Sequence, residues 1–450
     1  MNSFLLEIGL EEVPASMIQP SIEQLREHVA KTLQQQNLSG QIEIFGTPRR
    51  FGLLVRNLPA SQANRIEEIK GPPVEMAKDE KGHWKQAALG FAKKNGIDPE
   101  KLEVRDFSGK EYLYAIKHLE GKTTKEILET SIVEWIQALR FPKNMRWGSY
   151  RQRFVRPIRW LTCLWNSEVV SVELEMVRSG NRSFGHRFLS KDSFTIDQAD
   201  EYENKLRDQW VIASTSKRRE RIEEQIQELE RKYKWRVEID PALLMEVTNL
   251  VEWPTALVGS FEEAFLELPN EVLVTSMAVH QRYFPVYEKD GTNLLPYFIT
   301  IRNGNEHGLD TVRLGNERVI RARLSDARFF YQEDQKGAFE DFEKKAANAI
   351  FFPERGSQQD RTERIQLITE RFSNGLLLDQ KGQEEAKRIA KLCKFDLQTQ
   401  MVYEFPELQG IMGERYAKIL GESERVCRGI REHYLPGNAE DHLPQDPITW

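Results

Sequence analysis

SFLLEIGLEEVP (Ser3–Pro14) is the stretch from which the fold is read. Ser3 to Ile8 is an almost unbroken apolar run of strand length, which predicts a buried strand. Gly9 to Pro14 predicts a turn. Ser21 and Gln24 then form a capping box, and Ile22, Leu25, Val29 and Leu33 line one face of a helix that Gly40 ends. Gln41–Phe45 and Phe51–Asn57 predict two further strands, joined by the turn Gly46-Thr47-Pro48-Arg49-Arg50. Strand, helix, strand, strand makes an α+β layer. Arg49 and Arg50 sit on its turn, where they either meet a partner or are simply solvated.

A chain of 450 residues is too long for one core and predicts about two to four domains. Hydrophobic residues make up 40% and charged residues 30%, the balance of a soluble globular protein. With 64 Lys+Arg against 70 Asp+Glu the formal net charge is -6, which excludes a small architectural DNA-binding protein. A large enzyme subunit with one basic groove is compatible with that balance. Cys163, Cys393 and Cys427 form no CxxC and no disulfide framework, which predicts a reducing cytoplasm. Glu7, Glu11 and Glu12 among the first apolar residues argue against a signal peptide, and no run of 18 apolar residues predicts a membrane span.

Further along, Lys70–Pro73 reads as a punctuated linker, Ala87–Asn95 as a helix and Tyr112–Leu119 as a strand. Thr124 caps a helix with the face Ile127 or Leu128, Ile132, Trp135, Ile136 and Leu139, which must stop before Pro142. From Trp135 to Ser167 there is no Asp or Glu, but there are Arg140, Lys143, Arg146, Arg151, Arg153, Arg156 and Arg159. Phe141, Trp147, Tyr150, Phe154, Trp160 and Trp165 are interleaved with them. Cations neutralise phosphates and aromatic faces stack on unpaired bases, so the pattern suits a nucleic acid. The alternative is that the aromatics are core and the arginines a solvated or ion-paired face. Arg140 and Lys143 also have a helix C-terminus to favour them, and Pro157 prevents one amphipathic helix over Arg151–Arg159. Arg182 and Arg187 follow in a second acid-free stretch, between Glu175 and Asp192.

Val169–Val177 predicts a strand, Ser216–Trp235 a charged helix, and Pro296–Arg302 a strand. Gly315–Tyr331 predicts a helix packed through Val319, Ala322, Leu324, Ala327 and Phe330. From about Phe339 the pattern is almost wholly helical, with one face of Ile365, Leu367, Ile368 and Phe372 and another of Ala386, Ile389, Ala390, Cys393 and Leu397. There is no Walker loop, no dinucleotide fingerprint, no HExxH and no GxSxG. A lone His280 is a structural histidine by default. No catalytic residue, metal or cofactor is therefore predicted on this chain, which favours a binding or accessory subunit.

These residues resemble the β-subunit family of bacterial heterotetrameric glycyl-tRNA synthetases. The resemblance rests on LEIGLEEVPA (Leu6–Ala15), TPRR (Thr47–Arg50), MRW (Met145–Trp147) and FVRPIRW (Phe154–Trp160). HQRYF (His280–Phe284), GNERV (Gly315–Val319), LSDARFF (Leu324–Phe330) and EFPELQG (Glu404–Gly410) continue it over nearly the whole chain. It implies a cytoplasmic α2β2 assembly in which the α subunit uses ATP with Mg2+ and this chain binds tRNA(Gly) for charging. The implied fold is α+β and multidomain: mixed α/β N-terminal and central domains followed by an all-helical HD-like domain. The expected segments are 1–66, an N-terminal α+β body; 67–190, with the basic stretch; 191–338, an editing-domain-like centre; and 339–450, the HD-like helices.

Two departures qualify the likeness. HD hydrolases use a His-Asp pair, whereas Phe395 precedes Asp396 here, so loss of hydrolase chemistry is expected. The chain stops at Pro447–Trp450, where the resemblance implies the rest of the helical domain and an anticodon-binding domain, so an incomplete HD-like domain and no anticodon-binding domain are expected in this chain. The tRNA-contact candidates are Arg49, Arg50, Arg140, Lys143, Arg146, Arg151, Arg153, Arg156, Arg159, Arg182 and Arg187, chosen on charge. The rival expectations are an HD-like or editing-type hydrolase and a pure scaffold for the α subunit.

Overall fold

The computed structural model describes residues 2–79, 83–373, 375, 378–439 and 441–449. The chain forms two compact units. Unit 1 holds the residues up to Arg219 together with Thr248–Trp253, and unit 2 holds Glu220–Val247 and the residues from Pro254.

Unit 1 opens with β1 (Asn2–Leu10), α1 (Ala15–Gln35), β2 (Gln41–Thr47) and β3 (Arg50–Leu58), the expected order. β4 (Arg65–Pro73), β5 (Glu103–Phe107) and β6 (Lys110–Leu119) form a small sheet in the order β4-β6-β5, in contact with α2 (Val74–Ala77) and α3 (Gln86–Asn95). α4 (Thr124–Ala138), β7 (Ile158–Trp165), β8 (Glu168–Val169) and β9 (Ser179–Gly180) follow. The main sheet runs β2-β3-β1-β7-β8, with β9 parallel to β7. β10 (Arg182–Phe184) pairs with β11 (Ser193–Thr195), and α5 (Tyr202–Asp208) comes after them.

β1 lies at the centre of the main sheet and is buried on both faces. Phe4, Leu6, Ile8 and Leu10 pack with Ile18, Ile22, Leu25 and Val29 of α1 and with Ile132 and Trp135 of α4. Leu5 packs on the opposite face with Phe45, Leu54, Leu164, Tyr202 and Leu206. A strand covered on both sides has no solvent face to make polar, which is why its sequence is an apolar run.

Several local expectations change. α1 starts at Ala15 rather than near Ser21, because Ile18 also faces the core. Ser21 is buried inside the helix, where its hydroxyl donates to the Met17 carbonyl. The helix ends at Gln35, and Asn37, at φ 53°, turns the chain before Gly40 is reached. The cap of α4 is Thr123, one residue early, in a reciprocal capping box with Glu126. Lys70–Pro73 belongs to β4 and is no linker, and the expected boundary at 66/67 cuts that strand. Of Val169–Val177 only Val169 is in a strand.

Unit 2 contains most of α6 (Thr215–Tyr233) and α7 (Pro241–Leu250), and β12 (Arg236–Val237) between them. β13 (Pro254–Ser260), α8 (Asn270–Val274), β14 (Phe284–Tyr287) and β15 (Leu294–Asn303) come next, and the sheet order is β12-β14-β15-β13. α9 (Leu309–Asp334) buries Ile320, Leu324 and Ala327, whereas Val319 and Ala322 are exposed. The buried stripe thus runs through Ile320, one position beyond the expected Val319.

α10 (Phe339–Asn348), α11 (Gln358–Ser373), α12 (Gln380–Leu392), α13 (Gln400–Glu404), α14 (Ile411–Ile419) and α15 (Glu424–Glu432) complete the unit. The expected all-helical end is interrupted by a small hairpin, β16 (Ile350–Phe352) and β17 (Gly356–Ser357). Ala386, Ile389, Ala390 and Cys393 are buried as one face, whereas Leu367, Ile368 and Phe372 are exposed.

Candidate nucleic-acid interface

The two arginines of the TPRR turn are the first surprise. β2 and β3 extend to Thr47 and Arg50, so the turn shrinks to Pro48-Arg49 and Arg50 enters the sheet opposite Gly9. Arg50 is fully buried between two carboxylates: its Nε is 3.1 Å from Glu252 Oε1 and its Nη1 is 3.3 Å from Glu7 Oε2. Thr47 Oγ1 donates to Glu252 at 2.7 Å, Ser183 Oγ donates to Glu7 at 2.6 Å, and Trp160 Nε1 also donates to Glu7. Gly9 makes the site possible, since a Cβ there would lie 1.8 Å from the Trp160 ring. Burial alone would lower the Arg50 pKa, but Glu252 and Glu7 outweigh it and hold the guanidinium charged, above its ordinary value. Glu252 is likewise kept below the usual carboxylate range, because Arg50 and the Thr47 hydrogen bond overcome its burial.

Arg49 is mostly buried; its Nη1 donates to the Gly185 carbonyl at 3.1 Å and burial lowers its pKa. Neither Arg49 nor Arg50 is free to meet a phosphate. The stretches LEIG, TPRR and PIRW, which carry the family resemblance, meet here as structure. Glu252, which completes the cluster, drew no attention in the sequence because it lies 202 residues from Arg50.

The basic stretch behaves differently. After α4 the chain is pinned by Gln24, which accepts from the Arg140 N–H at 2.9 Å and donates to its carbonyl at 3.0 Å. A bridge between Met145 and Phe154, with bonds of 2.9 and 3.3 Å, closes a loop. Glu175 accepts from the N–H groups of Arg151 (2.7 Å) and Gln152 (3.2 Å) at the far side. Phe154 is buried and packs on Phe141, with ring centroids 4.8 Å apart, while Trp147 is partly buried on the same core. The aromatics Phe141, Trp147, Phe154 and Trp160 are therefore anchors, and Tyr150 is the exposed one. Lys143, Arg146, Arg151 and Arg153 are exposed, and among the described residues none of these side chains has an ion-pair partner.

Most of the remaining candidates are tied. Arg140 Nη1 donates to the Gln137 carbonyl at 3.1 Å, at the end of α4, as a helix C-terminus favours. Arg156 Nε donates to the Glu12 carbonyl at 2.9 Å. Arg159 lies 3.4 Å from Glu11, and Arg187 pairs with both Glu11 (3.3 Å) and Glu12 (3.1 Å). Three arginines thus converge on one acidic turn. Arg182 is exposed on β10. Beside Arg187 stands Phe188, an exposed ring absent from the charge-based selection.

In unit 2 an HD-type metal does not fit Asp396. The side chain is wholly buried, its Oδ2 accepts from the Gly410 N–H at 2.6 Å, and burial pushes its pKa up to about 6. Phe395 packs against Phe339 and Phe342, at 5.1 and 5.6 Å. His280 stacks on Phe405 at 5.1 Å, a packing role.

The family model described as glycyl-tRNA synthetase beta subunit matches residues 4–450. The glycine–tRNA ligase beta subunit of Listeria monocytogenes is 46% identical over 448 residues, 99% of this chain and 65% of that protein. Its namesake in Bacillus subtilis is 45% identical over 444 residues, 98% of this chain and 65% of the relative. That of Halalkalibacterium halodurans is 47% identical over 444 residues, 98% of this chain and 64% of the relative. The chain thus spans about 65% of the length of the curated relatives it matches.

Proposed function

The chain belongs to the glycyl-tRNA synthetase β-subunit family, and from that premise we propose that it binds tRNA(Gly) and positions it for glycylation at the active site of an α subunit, in a cytoplasmic α2β2 enzyme. The observation that carries this reading is the pinned loop from Lys143 to Arg153. Its backbone is fixed by Gln24, Glu175 and the Met145–Phe154 bridge, while its four cations have no ion-pair partner among the described residues. Phosphates are the natural counter-charges, and contacts of this kind set register rather than sequence.

Catalysis by such a subunit is positional. ATP with Mg2+ activates glycine on the α subunit, and no step of that chemistry passes through a side chain of this chain. Holding the acceptor end near the partner's site turns an encounter between three molecules into a local one, and effects of this kind reach several kcal/mol. The hydrolase reading has little support, because the carboxylate it needs at Asp396 is buried against backbone.

Fluorescence anisotropy with labelled tRNA(Gly) across a salt series tests the proposal. The expected result is an affinity that falls linearly in a log–log plot as counter-ions compete for phosphate contacts. Salt-independent binding, or none, contradicts it.

A further inference from the structure

Phe188 is 82% exposed, more than any other large hydrophobic side chain among the described residues. A mobile loop tip would account for that, but the loop is held on every side. Gly185 is packed so closely that a Cβ would lie 2.3 Å from Ser190 Oγ and 2.7 Å from Gln209. The His186 N–H donates to the Gln209 carbonyl at 2.9 Å, and the Ser190 N–H donates to the His186 carbonyl at 3.0 Å. The Phe188 N–H donates to His186 Nδ1 at 3.3 Å, and His186 itself is buried. Arg49 grips the Gly185 carbonyl, and Arg187 is clamped to Glu11 and Glu12. The backbone is rigid and the ring projects from it.

The surroundings are cationic. Arg156, Arg159 and Arg187 share the Glu11–Glu12 turn, so three positive charges meet two negative ones. Arg182 and Lys191 are exposed nearby in sequence and have no ion pair among the described residues. We infer that Phe188 is a stacking platform for an unpaired base of the bound RNA, with the flanking phosphates taken by Arg182 and Lys191. Each nucleotide offers one flat apolar face and one negative charge, which matches a fixed ring among arginines. An apolar protein surface matches less well, since it would desolvate these cations with few acids to pair them. The inference rests on the proposed RNA-binding function.

The test uses the whole chain as wild type, Phe188→Ala and Phe188→Trp. The probes are labelled tRNA(Gly), an unstructured single-stranded RNA and the same strand in a duplex. Phe188→Ala is expected to weaken tRNA and single-strand binding roughly 5- to 150-fold, the range of one lost base stack. The duplex affinity and the salt slope stay as in wild type, Phe188→Trp restores binding, and the melting temperature is unchanged because the ring is exposed. If the alanine variant binds tRNA as well as wild type does, the inference is overturned while the proposed function stands. If it loses the α subunit in native mass spectrometry and keeps its tRNA affinity, the ring is a protein contact and the inference is again overturned. If wild type itself shows no salt-dependent tRNA binding, the proposed function falls and takes this inference with it.

Discussion

Arg50 and Arg151 are the same side chain in opposite settings within one unit. Arg50 is wholly buried and its charge is balanced by Glu7 and Glu252. Arg151 is exposed; its backbone N–H is held by Glu175, and its side chain has no ion pair among the described residues. The first arrangement ties β1, β3 and the segment around Glu252 together. The second spends its contacts on fixing the loop and leaves the guanidinium for another molecule. Arginine in a sequence therefore announces charge but not purpose; purpose follows from whether acids distant in sequence fold onto it.

If that contrast is right, the two settings respond differently to substitution. The largest effect is expected from Arg50→Met, which strands Glu7 and Glu252 in the interior. Breaking a buried pair in this way costs about 3–5 kcal/mol, or a loss of roughly 10 °C in the melting temperature of unit 1 followed by calorimetry. Combining it with Glu252→Gln should recover part of the loss; a single variant as stable as wild type would erase the distinction. Next comes Gly9→Ala. Its Cβ enters the space of the Trp160 ring, so the ring must move and its bond to Glu7 is lost. Overpacking of this kind costs about 1–3 kcal/mol, measurable as a shifted urea midpoint with an unchanged slope.

Unit 2 extends the comparison to a buried carboxylate that has backbone hydrogen bonds but no ion pair among the described residues. Asp396 has its pKa pushed up to about 6 by burial. Because the folded state holds the proton more tightly than the unfolded one, the penalty is absent at pH below about 4. It grows as pH rises and is complete above about pH 6. Asp396→Asn should therefore raise the melting temperature more at pH 8 than at pH 5. A gain of the same size at both pH values would show that the carboxylate is not the strained group.

How much of this could be read in advance differs from residue to residue. β1, the Ile22–Leu33 stripe of α1 and the Ile127–Leu139 face of α4 were legible because each is a local periodicity. Ser21 looks like a cap in the sequence, but Ile18, three residues earlier, extends the same stripe and draws the helix back to Ala15. Arg50 was misread as a turn residue because its environment is made by Glu7 and Glu252, 43 and 202 positions away. No local pattern carries that information. Of the eleven candidates chosen on charge, Lys143, Arg146, Arg151, Arg153 and Arg182 have no ion pair among the described residues, whereas Arg156, Arg159 and Arg187 are tied to the Glu11–Glu12 turn. Phe188 escapes a selection made on charge because it carries none; only its exposure sets it apart.

The smallest effect on stability, and the most direct test, belongs to the loop. Anisotropy titrations of labelled tRNA(Gly) should be run across a salt series for wild type and for Arg151→Ala with Arg153→Ala, with melting curves in parallel. The expected result is unchanged melting, weaker binding at every salt concentration, and a log–log slope reduced by about one for each phosphate contact removed. An unchanged slope and affinity, or a melting temperature that falls as it does for Arg50→Met, would contradict it.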